Sequence, residues 1–232
     1  MRNLAAASSP ASWVSCRSGG TAVWVDAVTL LGVRVTAHVI INVAEDQRRQ
    51  AAGMAAVTDP ALLDRLMDLP VATSVVDPVI WAEMADQPTG IIERSEDGMS
   101  VTRYLESPLV IEAVVVNATA GRELRAVQDA SLFAGFTRRW VAAARSRIPD
   151  ATLLEAKLCG VGILDSCRRV LIPAEKPVAL TMDGWSWLLQ EKTYRRWVSR
   201  RSQAHATGSP SPATGGASAV GAELFHLRPV RR

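Results

Sequence analysis

Eleven consecutive residues, Val33 to Val43, alternate between two chemical kinds. Val33, Val35, Ala37, Val39, Ile41 and Val43 are apolar, and Arg34, Thr36, His38, Ile40 and Asn42 lie between them. A period of two puts the first set on one side of an extended chain. The pattern therefore predicts a half-buried β-strand, and a helix would scatter the same residues around its circumference. Leu31-Gly32 is a turn signal just before it. Residues 21–43 should then form two strands joined at that turn.

Further elements follow from local punctuation. Glu45 to Val57 and Pro60 to Met67 have helical spacing, and Asp59-Pro60 suits an N-cap followed by the first helical position. Val75 to Met84 is predicted as a strand. Ile91–Arg94 and Ser100–Leu105 flank Glu96-Asp97-Gly98, and Asp-Gly is a strong hairpin signal. Leu109 to Val116 reads LVIEAVVV, continuous enough for a central strand. Phe133, Phe136, Trp140, Ala144 and Ile148 recur at three and four, which predicts one long helix or two in series over about Gly121 to Arg147, ended by Pro149. Thr152 to Leu164 is predicted as β, with short strands at Arg169–Ile172 and Val178–Thr181. Together these predict an α+β fold with a mostly antiparallel sheet packed by helices, a C-terminal Trp-rich basic helix and a disordered tail.

The domain plan is simple. Residues 1–20 are small and polar and are expected to be loose; residues 21–201 form one α+β domain. Residues 202–222 collapse to Ser, Ala, Gly, Pro and Thr with little else, a composition that cannot offset its ordering entropy by burial. This predicts a flexible linker from Ser202, ending in the apolar-basic peptide LFHLRPVRR. Hydrophobic residues at 48% and charged residues at 21% are enough to build a core without covalent staples. The three cysteines, Cys16, Cys159 and Cys167, form no CxxC pair and are odd in number. A reducing, cytoplasmic location is expected. No stretch reaches 18 apolar residues and the first twenty lack an apolar signal core, so neither a membrane span nor a secretory signal is expected.

Charge is distributed unevenly. From Gln190 onward there are eight basic residues against two acids, whereas the preceding residues hold 18 basic and 21 acidic side chains. Arginine outnumbers lysine 23 to 3, a ratio that coding bias can produce, although bias does not place the arginines at one end. Asp183 is positioned to cap a helix running DGWSWLLQEKTYRRWVSRR. At about 100° per residue, Trp187, Tyr194, Trp197 and Val198 share roughly a third of its wheel. Lys192, Arg196 and Arg200 gather opposite, joined in the first turns by Trp185, Leu188 and Leu189. Two uses fit: the aromatic stripe docks on the sheet while the arginines complement the helix dipole, or Lys192, Arg195, Arg196, Arg200 and Arg201 neutralise the phosphates of a nucleic acid or another acidic macromolecule. The leading expectation is a cytoplasmic binding protein for a polyanion, nucleic acid first, with no cofactor.

A second function comes from another class. Pro149-Asp150 followed by Glu155-Ala156-Lys157 resembles the PD…(D/E)xK signature of a large nuclease superfamily, and Gln190 and Tyr194 are similar to the helical Gln/Tyr motif of one of its branches. The resemblance implies a metal-dependent nuclease in which Asp150 and Glu155 hold a divalent ion such as Mg²⁺ and Lys157 positions water or offsets charge. On a strand Glu155 and Lys157 would share a face, and a bend before Glu155 would be needed to bring the two carboxylates to one metal. A third possibility is a protein-binding adaptor using Leu224, Phe225, Leu227 and the tail arginines. The remaining polar residues have plainer readings. Cys159 is expected to be a buried, inert thiol, His38 a satisfied histidine at the core's edge, and Glu93, Glu96 and Asp97 a solvated turn.

Overall fold

A computed structural model describes residues 21–84, 86–87, 90–97, 99–177 and 183–206. The alternating segment is a strand, and it pairs with its predecessor. β1 (Thr21–Leu30) and β2 (Val33–Ile41) form an antiparallel hairpin. Its turn is Leu31-Gly32, with φ of 50° and 78°. Two successive left-handed residues are what the right-handed twist of a tight hairpin requires. A bulge between Val25 and Val28 holds Ala27 at φ 57°.

β2 pairs antiparallel with β6 (Leu109–Asn117), the expected central strand. Beyond β6 the sheet changes direction. β6, β7 (Arg138–Ala142) and β8 (Gly162–Leu164) run parallel, and β9 (Val170–Ile172) returns antiparallel. The six-stranded order is β1-β2-β6-β7-β8-β9. A second, three-stranded antiparallel sheet has the order β3-β5-β4, from β3 (Ser74–Val76), β4 (Ile92–Arg94) and β5 (Ser100–Arg103). Six helices complete the described residues: α1 (Val43–Ala51), α2 (Pro60–Met67), α3 (Pro78–Glu83), α4 (Glu123–Ser131), α5 (Asp150–Leu158) and α6 (Gly184–Ala206). The fold is α+β, with five antiparallel strand pairs and two parallel ones.

Three predicted segments differ from the structure in kind, and two in extent: the helix expected over Glu45–Val57 ends at Ala51, and α6 continues to Ala206, past the expected start of the linker at Ser202. The long helix over 121–147 is α4 followed by β7. Phe133 and Phe136 lie in the turn between them, and Trp140 and Val141 lie on the strand. Trp140 and Val141 are β-formers that gain ladder partners only once β6 is present. Residues 152–164, predicted as β, hold α5, a turn and only then β8. Ala, Leu, Glu and Lys dominate α5, all strong helix formers, and Gly160 at φ 65° supplies the left-handed residue that ends it. Residues 75–84, predicted as one strand, are β3 followed by α3. Asp77 accepts from the amides of Val79 and Ile80, and Pro78 occupies the first turn. This is the same Asp-Pro start that Asp59 and Pro60 give α2. The predicted strand Val178–Thr181, the N-terminal twenty residues and the tail from Thr207 lie outside the described residues.

The chain divides into a compact unit ending at Trp197 and a second unit from Val198, of which helical residues to Ala206 are described. In the first unit two apolar layers matter for the site. The face of the large sheet bearing Val35, Ala37, Val39, Val114 and Val141 is buried, and α4 packs on β6 and β7. The small sheet closes over Leu62, Leu63 and Leu66 of α2, Met84, Ile91, Val101 and Leu105. Trp187 and Leu188 of α6 belong to this second cluster.

Gly162 illustrates how tightly β8 is packed. A Cβ there would overlap the Trp140 ring and the backbone nitrogen of Ala174. Gly162→Ala should therefore destabilise the protein by about 1–3 kcal/mol through overpacking. Urea unfolding checks this, read as a lower midpoint at unchanged slope.

Candidate anion-binding surface

α6 starts as the sequence indicates. The Asp183 carboxylate accepts from the amide of Ser186 at 2.7 Å. Its stripe at three and four then points inward: Trp187 is 2% exposed and Tyr194 2%. Leu188 and Leu189 are buried too, so the first half of the helix is enclosed on two sides. Trp185 is the exception among its early aromatics, at 57% exposed.

Glu191 occupies the same stripe, four residues after Trp187 and three before Tyr194, and is fully buried. Its partner is Arg49 of α1, also fully buried. The contact is bidentate, Nη1 to Oε2 at 2.8 Å and Nη2 to Oε1 at 2.7 Å. Arg49 Nε donates to Glu45 at 2.6 Å, and its Nη2 also reaches the Glu106 carbonyl at 2.9 Å. Glu191 further accepts from the Val57 amide at 2.9 Å and from the Trp187 indole at 3.2 Å. Burial alone would lower the Arg49 pKa, but the hydrogen bonds and charges of Glu191 and then Glu45 outweigh it and hold the guanidinium above its ordinary value. Beside this cluster the Tyr194 hydroxyl donates to Asp46 at 2.8 Å.

The cations of α6 follow from that inward stripe. Lys192 is half-buried, Arg195 exposed and Arg196 half-buried in the first unit. Arg196 Nε lies 3.5 Å from the Asp26 carbonyl oxygen. In the second unit Arg200 and Arg201 are half-buried on the continuing helix. The sole acid among the residues from Gly184 to Ala206 is Glu191, and its charge is matched internally.

The residues of the nuclease-like motif are placed differently from expectation. Asp150, Glu155 and Lys157 all lie on α5, not on a strand. At about 100° per residue Asp150 and Glu155 point about 140° apart, and Glu155 and Lys157 about 160° apart. The helix therefore turns Glu155 away from both Asp150 and Lys157, which lie about 20° apart, and removes the Glu155–Lys157 alignment that a strand would give. Asp150 and Lys157 are exposed, and Glu155 is half-buried with Cys159 Sγ 3.7 Å from its carboxylate. Among the described residues no group of three or more His, Cys, Asp or Glu side chains is placed to hold a metal ion. Gln190 and Tyr194, the motif's helical residues, face Ser107 and Asp46 respectively.

Arg49, Glu45, Asp46 and Glu191 were not singled out by the sequence. Glu45 and Arg49 at i and i+4 resemble an ordinary solvated pair. The usable signal was Glu191 interrupting an aromatic stripe, since a carboxylate on an inward face needs a buried cation.

His38 is 5% exposed on β2, with its ring 4.7 Å from that of Trp24. Its Nδ1 lies 3.3 Å from Glu112 Oε2, yet neither atom makes an aligned hydrogen bond. Burial lowers its pKa below the ordinary value, and the Glu112 charge opposes this only in part. Among the described residues no helix is long and apolar enough to cross a membrane. Compared with known proteins, the chain matches no family model, no curated protein and no solved structure.

Two outcomes follow. Arg49→Met leaves Glu45 and Glu191 buried without their cation and should cost about 3–5 kcal/mol. Adding Glu191→Gln should recover part of that loss; a double-mutant cycle in urea measures the coupling. For His38, the depressed native pKa means the unfolded state binds more protons. Its contribution is fully present above the unfolded value near 6.5 and is lost as pH falls through that value toward the native one. The urea midpoint should drop between pH 7.5 and 5.5, and His38→Gln should reduce the drop.

Proposed function

We propose that the protein binds a polyanion in the cytoplasm, nucleic acid before other acidic macromolecules, through the basic residues of α6: Lys192, Arg195, Arg196, Arg200 and Arg201. The observation that carries this reading is the burial of Glu191 against Arg49. The helix has a single carboxylate, and it faces inward with its charge matched. The side chains that α6 offers to solvent are thus cationic or neutral, and guanidinium groups attract phosphates by counterion release. Contacts of this kind carry no base information, so binding should be insensitive to sequence. Guanidinium suits the role better than ammonium because its planar fork engages phosphate oxygens in pairs.

A nuclease has less support, because α5 turns Glu155 away from Asp150 and Lys157. The adaptor alternative rests on residues 224–232, outside the described part of the chain.

Affinity for a duplex and for a single strand, measured between about 50 and 200 mM salt, tests the proposal. The native chain should show a log–log slope of several units, near 0.9 per phosphate neutralised on a duplex. Replacing Arg195, Arg196, Arg200 and Arg201 together by Ala should flatten that slope by roughly two to four. An unchanged slope sinks the assignment.

A further inference from the structure

The parallel strands β6, β7 and β8 all end at one loop cluster. Three backbone bonds tie it together: Ala118 N to Ala142 O at 2.9 Å, Ala143 N to Leu164 O at 2.9 Å, and Ser166 N to Arg145 O at 3.2 Å. Here the cluster holds Arg122, Arg145, Arg147 and Arg168, one or two from each loop.

Arg145 is held in place. Its Nε lies 3.0 Å from Glu123 Oε1. Glu123 is 3% exposed and also accepts from the Gly121 amide at 3.1 Å. Burial would raise the Glu123 pKa, but its own amide, that of Gly121 and then Arg145 hold the carboxyl below its ordinary value. Gly121 has φ 84°, and a Cβ on it would come within 3.0 Å of Arg145 Nη2. A side chain at 121 would be strained in that conformation and would crowd the guanidinium. Neither terminal nitrogen of Arg145 donates a hydrogen bond to the described residues. An arginine anchored through Nε presents its remaining two-pronged edge to a ligand.

A cavity of about 590 Å³, open to solvent, lies against this arginine, lined by Arg145, Ser146, Arg147, Ile148, Pro149 and Asp150. That volume suits a small molecule. Arg122, Arg147 and Arg168 are exposed, and among the described residues none has a carboxylate partner. Arg169, by contrast, is spent on Asp165 at 2.7 Å. Ser146 adds a hydroxyl to the lining. Asp150 adds an exposed carboxylate, which repels an anion but accepts from a ligand hydroxyl.

We infer that this cavity binds a phosphate monoester of a small hydroxylated molecule, its phosphate on Arg145 and Arg147 and a hydroxyl on Asp150. The site is independent of the α6 surface and uses none of its residues.

Calorimetric titration of the full chain with glycerol 3-phosphate, methyl phosphate and glycerol tests this. Glycerol 3-phosphate should bind saturably, methyl phosphate more weakly and glycerol not measurably. Arg147→Gln and Arg145→Gln should each weaken glycerol 3-phosphate roughly tenfold. Arg147 makes no ion pair among the described residues, so its replacement keeps the test readable if loss of the Glu123 partner unfolds the Arg145 variant. Asp150→Asn should weaken glycerol 3-phosphate and not methyl phosphate. Arg125→Gln, whose arginine pairs with Asp129 on α4, and the fourfold α6 variant should leave affinity unchanged. The inference is overturned by no saturable binding at millimolar ligand, by equal affinity in Arg147→Gln, or by stronger binding of an oligonucleotide that Arg147→Gln abolishes.

Discussion

A guanidinium with no solvent contact organises this molecule. Arg49 and Glu191 are 142 residues apart in sequence and meet with both forks engaged. Taking the two ions out of water costs several kcal/mol each, and their attraction repays this only when every remaining donor and acceptor is satisfied. The surroundings come close to that condition, with four hydrogen bonds for the five N–H groups of Arg49. Arg49 spends all three nitrogens on Glu45, Glu191 and the Glu106 carbonyl, and Arg48 balances the second carboxylate by gripping Glu45 at 2.7 and 2.8 Å. Two arginines against two glutamates leave the cluster neutral. A helix displaced by one residue would strand both charges, so the pair opposes any shift of register.

Register on α6 has consequences in both apolar layers of the first unit. With Glu191 fixed, Trp187 and Leu188 fall into the cluster under the small sheet. Leu189 and Gln190 fall beside Leu30, Ile111, Val114 and Phe133 of the large-sheet layer, around a small cavity of about 160 Å³. The same rotation turns Arg195 outward. The inward carboxylate and the outward guanidinium groups are thus one decision made at a single contact. A sequence reading could place the aromatic stripe but not its partner, since nothing local in Glu45-Asp46-Gln47-Arg48-Arg49 distinguishes a buried arginine from a solvated one.

The legible elements were those whose signals are local. The β1–β2 hairpin, α2, the β4–β5 hairpin, β6, β9 and the Asp183 start of α6 each rest on a turn residue, a cap or an uninterrupted period. The errors gather in residues 121–164, where the sheet turns parallel. A parallel strand gets its partners from across a helix, so its identity lies in contacts distant in sequence. β7 is five residues long and β8 three. Segments so short hold less than one helical turn and a half, and their apolar spacing fits either period. Residues 75–84 differ for another reason. Asp77-Pro78 carries the same start signal as Asp59-Pro60, and the valines around it masked the helix.

Misplacing 152–164 also misplaced its chemistry. Were Glu155 and Lys157 on a strand, the spacing of two would align them; on α5 it opposes them. What the helix does instead is bring Asp150 to its N-terminal end, next to the loop that carries Arg145 and Arg147. No side-chain cap occupies that end, because Pro149 stands at the N-cap. That end carries the positive pole of the helix dipole. Asp150 complements that dipole and lines the same cavity as Arg145, which Glu123 holds in place. The carboxylate that the motif assigned to a metal thus lines the same cavity as two arginines, an arrangement better matched to the hydroxyl of an anionic ligand than to a cation.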